Sequence, residues 1–137
     1  MVFPGRQVMP PPDKLFDAQI RGGPRFRRLL FVCSRNKLRS PTAEQVFSTW
    51  EDVEGASAGL AADAETPLTA ELVEWADIIF VMENAHRSKL SAMFKRSLNG
   101  QRIVCLNVPD RYEFMEPALV SLLTERVPKF LGVGGAG

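Results

Sequence analysis

The apolar positions along the chain fall into two alternating patterns. Short unbroken apolar runs give way to stretches in which apolar residues return every three to four positions. Leu29, Leu30, Phe31, Val32 and Cys33 form one such run, ending in polar residues, as expected of a strand buried on both faces. Val53 to Ala58, stopped by Gly59, predicts a second strand. Asp77 to Met82 is the clearest buried strand in the chain, and Arg102 to Val108 predicts a fourth, after a turn at Asn99 and Gly100. Between them lie helical patterns. Ser40 as cap, Pro41 at the first helical position and Glu44 in the first turn predict a helix to about Trp50, with Ala43, Val46, Phe47 and Trp50 on one face. Thr69 opens a second helix carrying Leu72, Val73 and Trp75. Asn84, expected as a helix cap, opens a third through about Phe94, and the last runs from about Glu116 to Phe130.

The order β-α-β-α-β-α-β-α with short connections predicts an α/β fold. It is a doubly wound, four-stranded parallel sheet with helices on both faces, a flavodoxin-like three-layer sandwich. Ligands of such sheets sit beyond the carboxyl ends of the strands. That rule draws attention to Cys33, to Met82, Glu83 and Asn84, and to Pro109 and Asp110. The domain is expected over residues 25–131. Residues 1–24 are broken by Pro4, by Pro10 to Pro12, and by Gly22, Gly23 and Pro24, and are expected to be a poorly ordered extension; Leu15, Phe16 and Ile20 could pack as a short stretch. Residues 132–137 are expected to be a flexible tail.

Composition narrows the chemistry. With two Cys and one His in 137 residues, neither a disulfide framework nor a four-cysteine zinc site can be built, and no cofactor is expected. No apolar run reaches membrane-spanning length, and the first residues lack a continuous apolar stretch, so no membrane partner and a cytoplasmic location are expected. The net charge of +1 argues against nucleic acid as a partner. That sum hides a polar layout. Arg21 to Arg39 holds seven basic residues and no acid, whereas Ser40 to His86 holds ten acids and no Lys or Arg.

Cys33 and Arg39 lie inside the basic segment. A strand delivers Cys33 into a loop of Ser34, Arg35, Asn36, Lys37 and Leu38, and Arg39 and Ser40 open a helix. Such a loop can turn successive backbone N–H groups inward as an anion nest, reinforced by the helix N-terminus. Arg39 can grip two phosphoryl oxygens as a planar fork. Cys33 would lie beneath the phosphorus as nucleophile, and the surrounding positive charge favours its thiolate. Asn36 tolerates a left-handed backbone, and the Ser40 hydroxyl can donate to the sulfur. The loop residues Ser34 to Ser40 are therefore the expected site for a phosphoryl group, inorganic phosphate or sulfate. Spacing alone is weak, because Cys105 and Arg111 repeat it. There Pro109 removes a donor, Asp110 would put a carboxylate in the nest, and no helix follows. Cys105 is expected to be a buried, inert strand residue. Asp110 is the candidate general acid for a leaving oxygen. Glu83, Asn84 and Tyr112 are candidates for lining the site, as is Phe114; Glu83 and Asn84 could equally be a helix cap pair, and Tyr112 and Phe114 could equally pack on the last helix. His86 is expected at the surface.

At these residues the chain resembles the low-molecular-weight protein tyrosine phosphatase family, over about four fifths of its length. The segment from Phe31 to Glu44 looks like the family's phosphate loop. Ser57 to Gly59 looks like its second strand end, Ala76 to Leu90 like its third-strand segment, and Asn107 to Phe114 stands where the family has its acid loop. The resemblance implies Cys33 as nucleophile, Arg39 as phosphate clamp, Asn36 and Ser40 as loop supports and Asp110 as general acid. The chain departs from the pattern at Arg35 (usually Gly), Leu38 (often a second Cys), Glu83 (usually Asp) and Arg111 (usually Pro). The stretch from Gly59 to Asp77 is short and lacks an aromatic wall, which implies a shallow cleft.

The expected function is hydrolysis of phosphotyrosine or small aryl phosphate monoesters through a phosphocysteine, with a phosphorylated protein or small phosphomonoester as partner. Three alternatives stand beside it: a non-catalytic phosphate-binding module, an arsenate reductase and a phosphoarginine phosphatase.

Overall fold

The computed structural model describes residues 27–51 and 53–131; the predicted N-terminal extension and C-terminal tail lie outside them. Four parallel strands, β1 (Arg27–Cys33), β2 (Val53–Gly59), β3 (Ile78–Val81) and β4 (Arg102–Cys105), form one sheet in the order β2-β1-β3-β4. Helices α1 (Arg39–Phe47), α2 (Ala70–Trp75), α3 (Asn84–Met93) and α4 (Pro117–Arg126) follow them in alternation. This is the expected doubly wound architecture.

Alternation along each strand sorts the core into two layers. One face presents Leu29, Phe31 and Cys33 of β1 with Phe80 of β3 and Val104 of β4. It is covered by Ala43 and Phe47 of α1 and by Leu119 and Leu123 of α4. Phe31 stacks between Phe47 and Phe80, with ring centroids 5.7 and 5.4 Å away. The other face presents Leu30, Val32, Ile79 and Val81 to Leu72 and Val73 of α2 and Leu90 of α3. The central strands β1 and β3 are thus apolar on both sides, which is why their sequences run without alternation.

Several boundaries differ from expectation for local reasons. Helix α1 begins at Arg39, with Leu38 at its cap position and no side-chain cap bond. Ser40 is not the cap: it lies inside the first turn, its hydroxyl occupied elsewhere. The helix ends at Phe47 rather than Trp50. Glu44 lies beyond the first turn, and its carboxylate accepts from the Ser57 hydroxyl at 2.5 Å. Thr69 does cap α2, accepting from the Leu72 N–H at 3.2 Å. Glu83, not Asn84, caps α3, in a capping box with His86. Strand β4 stops at Cys105 because Asn107 turns into the left-handed region, at φ 55°. The last helical segment breaks after Arg126 and resumes as a 3-10 turn, Pro128–Phe130. Cys105 is half-buried rather than buried, since β4 is an edge strand.

The chain enters β2 on one side of β1 and crosses to β3 on the other. The strand order therefore reverses between β1 and β3, whose carboxyl ends carry Cys33 and Glu83.

Candidate active site

The loop that follows β1 is held from outside. The Cys33, Ser34 and Arg35 carbonyls accept from the Leu60, Ala61 and Glu65 N–H groups at 2.9, 2.8 and 3.1 Å. With three successive carbonyls bonded away, the opposite edge of the loop is its N–H edge. The Asn36 N–H points at the Cys33 sulfur, 3.2 Å away. Asn36 makes this turn in the left-handed region, at φ 57°, while Arg35 does not, so no glycine is needed at Arg35. The Arg35 side chain instead pairs with Asp63 at the surface, at 3.1 Å.

Gly59 makes the outer clamp possible. A Cβ there would lie 2.6 Å from the Ser34 carbonyl oxygen, 2.6 Å from the Ala64 Cβ and 3.0 Å from the Arg35 carbonyl carbon. Only a residue without a side chain lets β2 and the Leu60–Glu65 segment approach the loop this closely.

The sulfur is 3% exposed as part of Cys33 and sits against a fixed hydroxyl. Ser40 Oγ lies 2.9 Å from Cys33 Sγ, and the Asn36 side-chain amide donates to Ser40 Oγ at 2.9 Å. Against a Cys33 thiolate, which can only accept, the Ser40 hydroxyl is the donor of this pair. Ser40 is fully buried, and this arrangement satisfies it without water.

Arg39 is 4% exposed, and its Nη1 is saturated: it donates to Glu83 Oε2 at 2.6 Å and to the Val108 carbonyl at 2.7 Å. Its Nε lies 3.8 Å from Asp110 Oδ1, an ion-pair distance that leaves the Nε–Nη2 edge for a bidentate anion. The Arg39 hydrogen bond holds the Glu83 carboxyl below its ordinary value, outweighing an opposing push from burial. Glu83, a candidate for lining the site, therefore braces the Arg39 guanidinium.

Asp110 comes to the same side of Arg39 by the turn after β4 and is two-thirds exposed. The segment that carries it is tied to α1 by Thr42, whose hydroxyl donates to the Leu38 carbonyl at 2.7 Å and accepts from the Met115 N–H at 2.9 Å. Tyr112 is half-buried against the α1–α4 core layer, with the Arg111 guanidinium 5.6 Å from its ring centroid, so packing is its observed role. Phe114 is half exposed on the same segment.

His86 departs most from expectation. It is 5% exposed, not a surface residue. Its Nδ1 accepts from the Glu83 N–H at 3.1 Å, and its Nε2 lies 3.2 Å from Ser34 Oγ in the loop. Burial, then the Arg39 charge, push the imidazole below its ordinary value; Lys89 adds to this, while Glu83 and Asp110 oppose it. The sequence held one clue, a residue three positions after Glu83, the capping-box spacing. Thr42, Met115 and the Val108 carbonyl carried no comparable sign.

Among the described residues no three His, Cys, Asp or Glu side chains converge as a metal-binding set, and no helix is long and apolar enough to cross a membrane. Cys33 and Cys105 belong to opposite core layers, so the sheet separates them.

No family model matches the chain. A protein-arginine-phosphatase of Bacillus subtilis (strain 168) is 30% identical over a 95-residue alignment that takes in 50% of this chain and 63% of that protein. The chain thus spans less than two thirds of that curated relative's length. The tyrosine phosphatase Wzb from Escherichia coli K30, solved with phosphate, superposes with a TM-score of 0.61 at 20% identity, covering 77% of this chain and 96% of that one. A low molecular weight protein tyrosine phosphatase from Streptococcus pyogenes gives 0.63 at 16% identity, covering 77% and 93%. The sheet order, the cysteine loop at the reversal point and these superpositions agree that the chain has the fold of the low-molecular-weight protein tyrosine phosphatases.

Proposed function

We propose that this protein is a cysteine-based phosphatase that hydrolyses phosphomonoesters through a phosphocysteine. The observation that carries the proposal is the convergence on one loop of a buried Cys33 sulfur, the Ser40 hydroxyl and the Asn36 N–H within hydrogen-bond distance of it, and the Nε–Nη2 edge of Arg39, which makes no hydrogen bond among the described residues and faces Asp110 only at 3.8 Å. In this mechanism Cys33 Sγ attacks phosphorus in line with the leaving oxygen. The inward N–H edge and Arg39 hold the three equatorial oxygens, whose charge grows in the transition state. Asp110 protonates the leaving oxygen as the phosphorus–oxygen bond breaks, then takes a proton from the water that cleaves the phosphorus–sulfur bond. Ser40 donates to the departing thiolate. Glu83 and the Val108 carbonyl keep the guanidinium in place throughout.

Aryl phosphates and phosphotyrosine are the first substrates to test. Phosphoarginine is the second, favoured by the relative that is a protein-arginine-phosphatase. The same donors would hold its phosphoryl group, with Asp110 protonating nitrogen. Arsenate reduction is disfavoured because Cys105 lies across the sheet from Cys33 and cannot resolve an arseno-cysteine. A binding-only module is disfavoured by the position of Asp110 beside Arg39. The test is a panel of phosphotyrosine, phosphoserine and phosphoarginine peptides with an aryl phosphate, run on the wild type and Cys33→Ser. Turnover of at least one substrate, abolished in the variant, supports the proposal. Turnover that survives Cys33→Ser, or phosphate binding with no turnover across a wide pH range, overturns it.

A further inference from the structure

His86 is the single histidine of the chain, and its two nitrogens are both engaged in ways that fix its tautomer. The Glu83 N–H can only donate, so Nδ1, 3.1 Å away, must carry the lone pair. A neutral imidazole then bears its hydrogen on Nε2. The Nε2–H donates to Ser34 Oγ at 3.2 Å. The reverse arrangement would set an Nδ1–H against the Glu83 N–H, two donors facing each other.

The consequence falls on Ser34. Its oxygen accepts from His86, so its own hydrogen is turned away from the ring. Ser34 is exposed, and it stands one residue from the nucleophile on a loop whose carbonyls are bonded outward. The same α3 turn that fixes this hydroxyl also fixes Arg39, through Glu83. One short segment, Glu83 to His86, therefore sets two donor groups on the rim of the anion site.

We propose that Ser34 is a substrate-binding residue whose hydroxyl donates to a non-bridging phosphoryl oxygen, and that His86 is the positioning residue that aims it. This rests on the phosphatase reading above. It adds a side-chain donor to the loop's backbone amides and a reason for burying a histidine beside an arginine. His86 does not act as a general base toward Ser34, because its Nε2 already carries hydrogen.

Two substitutions separate this role from helix capping. In His86→Asn, the amide oxygen falls where Nδ1 was and keeps the Glu83 N–H bond, but the side chain is too short to reach Ser34. In His86→Gln, the amide nitrogen reaches the Nε2 position and can donate to Ser34, while the cap is lost. The experiment measures aryl phosphate kinetics, inhibition by inorganic phosphate and melting temperature. It compares these two variants with Ser34→Ala and the Ser34→Ala/His86→Asn double variant.

Ser34→Ala and His86→Asn should each lower kcat/KM by about tenfold, the scale of one hydrogen bond to a charged group, and raise the phosphate inhibition constant by a similar factor. The double variant should lose no more than either single one, and His86→Gln should recover most of the loss. Wild-type kinetics in His86→Asn, or independent losses that multiply in the double variant, would overturn the proposal. Nitrogen NMR of the lone imidazole gives a readout independent of turnover: hydrogen on Nε2 is expected, and hydrogen on Nδ1 contradicts the proposal. If the wild type turns over nothing, the phosphatase reading fails by itself. The pair is then judged by NMR and by direct phosphate binding, where equal affinity in wild type and Ser34→Ala overturns it.

Discussion

Substituting Gly59 by Ala tests the link between the sheet and the loop that carries Cys33. The added methyl would begin 2.6 Å from the Ser34 carbonyl oxygen and 2.6 Å from the Ala64 Cβ. Both are far inside ordinary contact, and the Ser34 oxygen is backbone, so no side-chain rotation relieves the clash. Either the loop or the Leu60–Glu65 segment must retreat by the better part of an ångström. The three bonds that anchor the loop carbonyls span this same gap. Overpacking of this kind costs about 1–3 kcal/mol, and in a domain of this size each kcal/mol lowers the melting temperature by about 4 °C or more. The effect on activity should be larger than the effect on folding. A displacement of about 1 Å in a positioned group lowers rates by about 100-fold. The assay pairs thermal melts with aryl phosphate kinetics at a temperature where the variant remains folded. A loss of about 100-fold in kcat/KM with a melting temperature reduced by several degrees is expected. Wild-type kcat/KM in a folded Gly59→Ala protein would refute the argument that this close approach shapes the site.

Two further outcomes follow from the same geometry. Asp110→Asn should lower kcat by about 100-fold for a substrate with a poor leaving group and much less for an activated aryl phosphate, because an asparagine cannot supply the proton; equal losses on both substrates would move the acid role elsewhere. Acidification should also weaken the fold through His86. Its folded value lies below the ordinary 6.5, so as pH falls through 6.5 the unfolded chain takes up a proton that the folded one refuses. Stability should be level above that pH and decline below it, with burial, Arg39 and Lys89 opposing the cation more than Glu83 and Asp110 favour it. Melts of wild type and His86→Asn between about pH 7.5 and 5.5 should converge toward the acid end; parallel curves would contradict this.

What the sequence made legible followed from patterns that depend on few neighbours. The apolar runs of β1 and β3 are buried on both faces, so their composition alone marked them, and the alternation of elements led to the sheet. Cys33 and Arg39 were visible because a strand, a loop and a helix start had to coincide there. Cys105 and Arg111 share the spacing, but Pro109 and Asp110, in their own stretch, argue against a second anion loop. What escaped were features made by contacts across the chain. Ser40 looked like a cap by its position before Pro41, yet its hydroxyl is drawn to the sulfur and to Asn36, and the helix starts two residues earlier, at Arg39 rather than Pro41. His86 looked like a surface residue because its burial depends on Ser34 and Arg39, distant in sequence. Cys105 was expected inside because its run is apolar, but β4 lies at the sheet edge. The bracing of Arg39 by the Val108 carbonyl could not be read at all, since a backbone acceptor leaves no mark in side-chain identity.

In the proposed mechanism the Cys33 sulfur becomes covalently phosphorylated in every turnover. The most direct measurement is to quench the protein in acid during turnover of an aryl phosphate and map the added phosphoryl group by mass spectrometry of its peptides. Cys105, a half-buried thiol on the other face of the sheet, serves as the internal control. One phosphoryl group is expected on the peptide holding Cys33, more abundant in Asp110→Asn relative to turnover and absent from Cys33→Ser. Phosphorylation at Cys105 or at a serine, or steady turnover by an enzyme that never carries the group on Cys33, would contradict it.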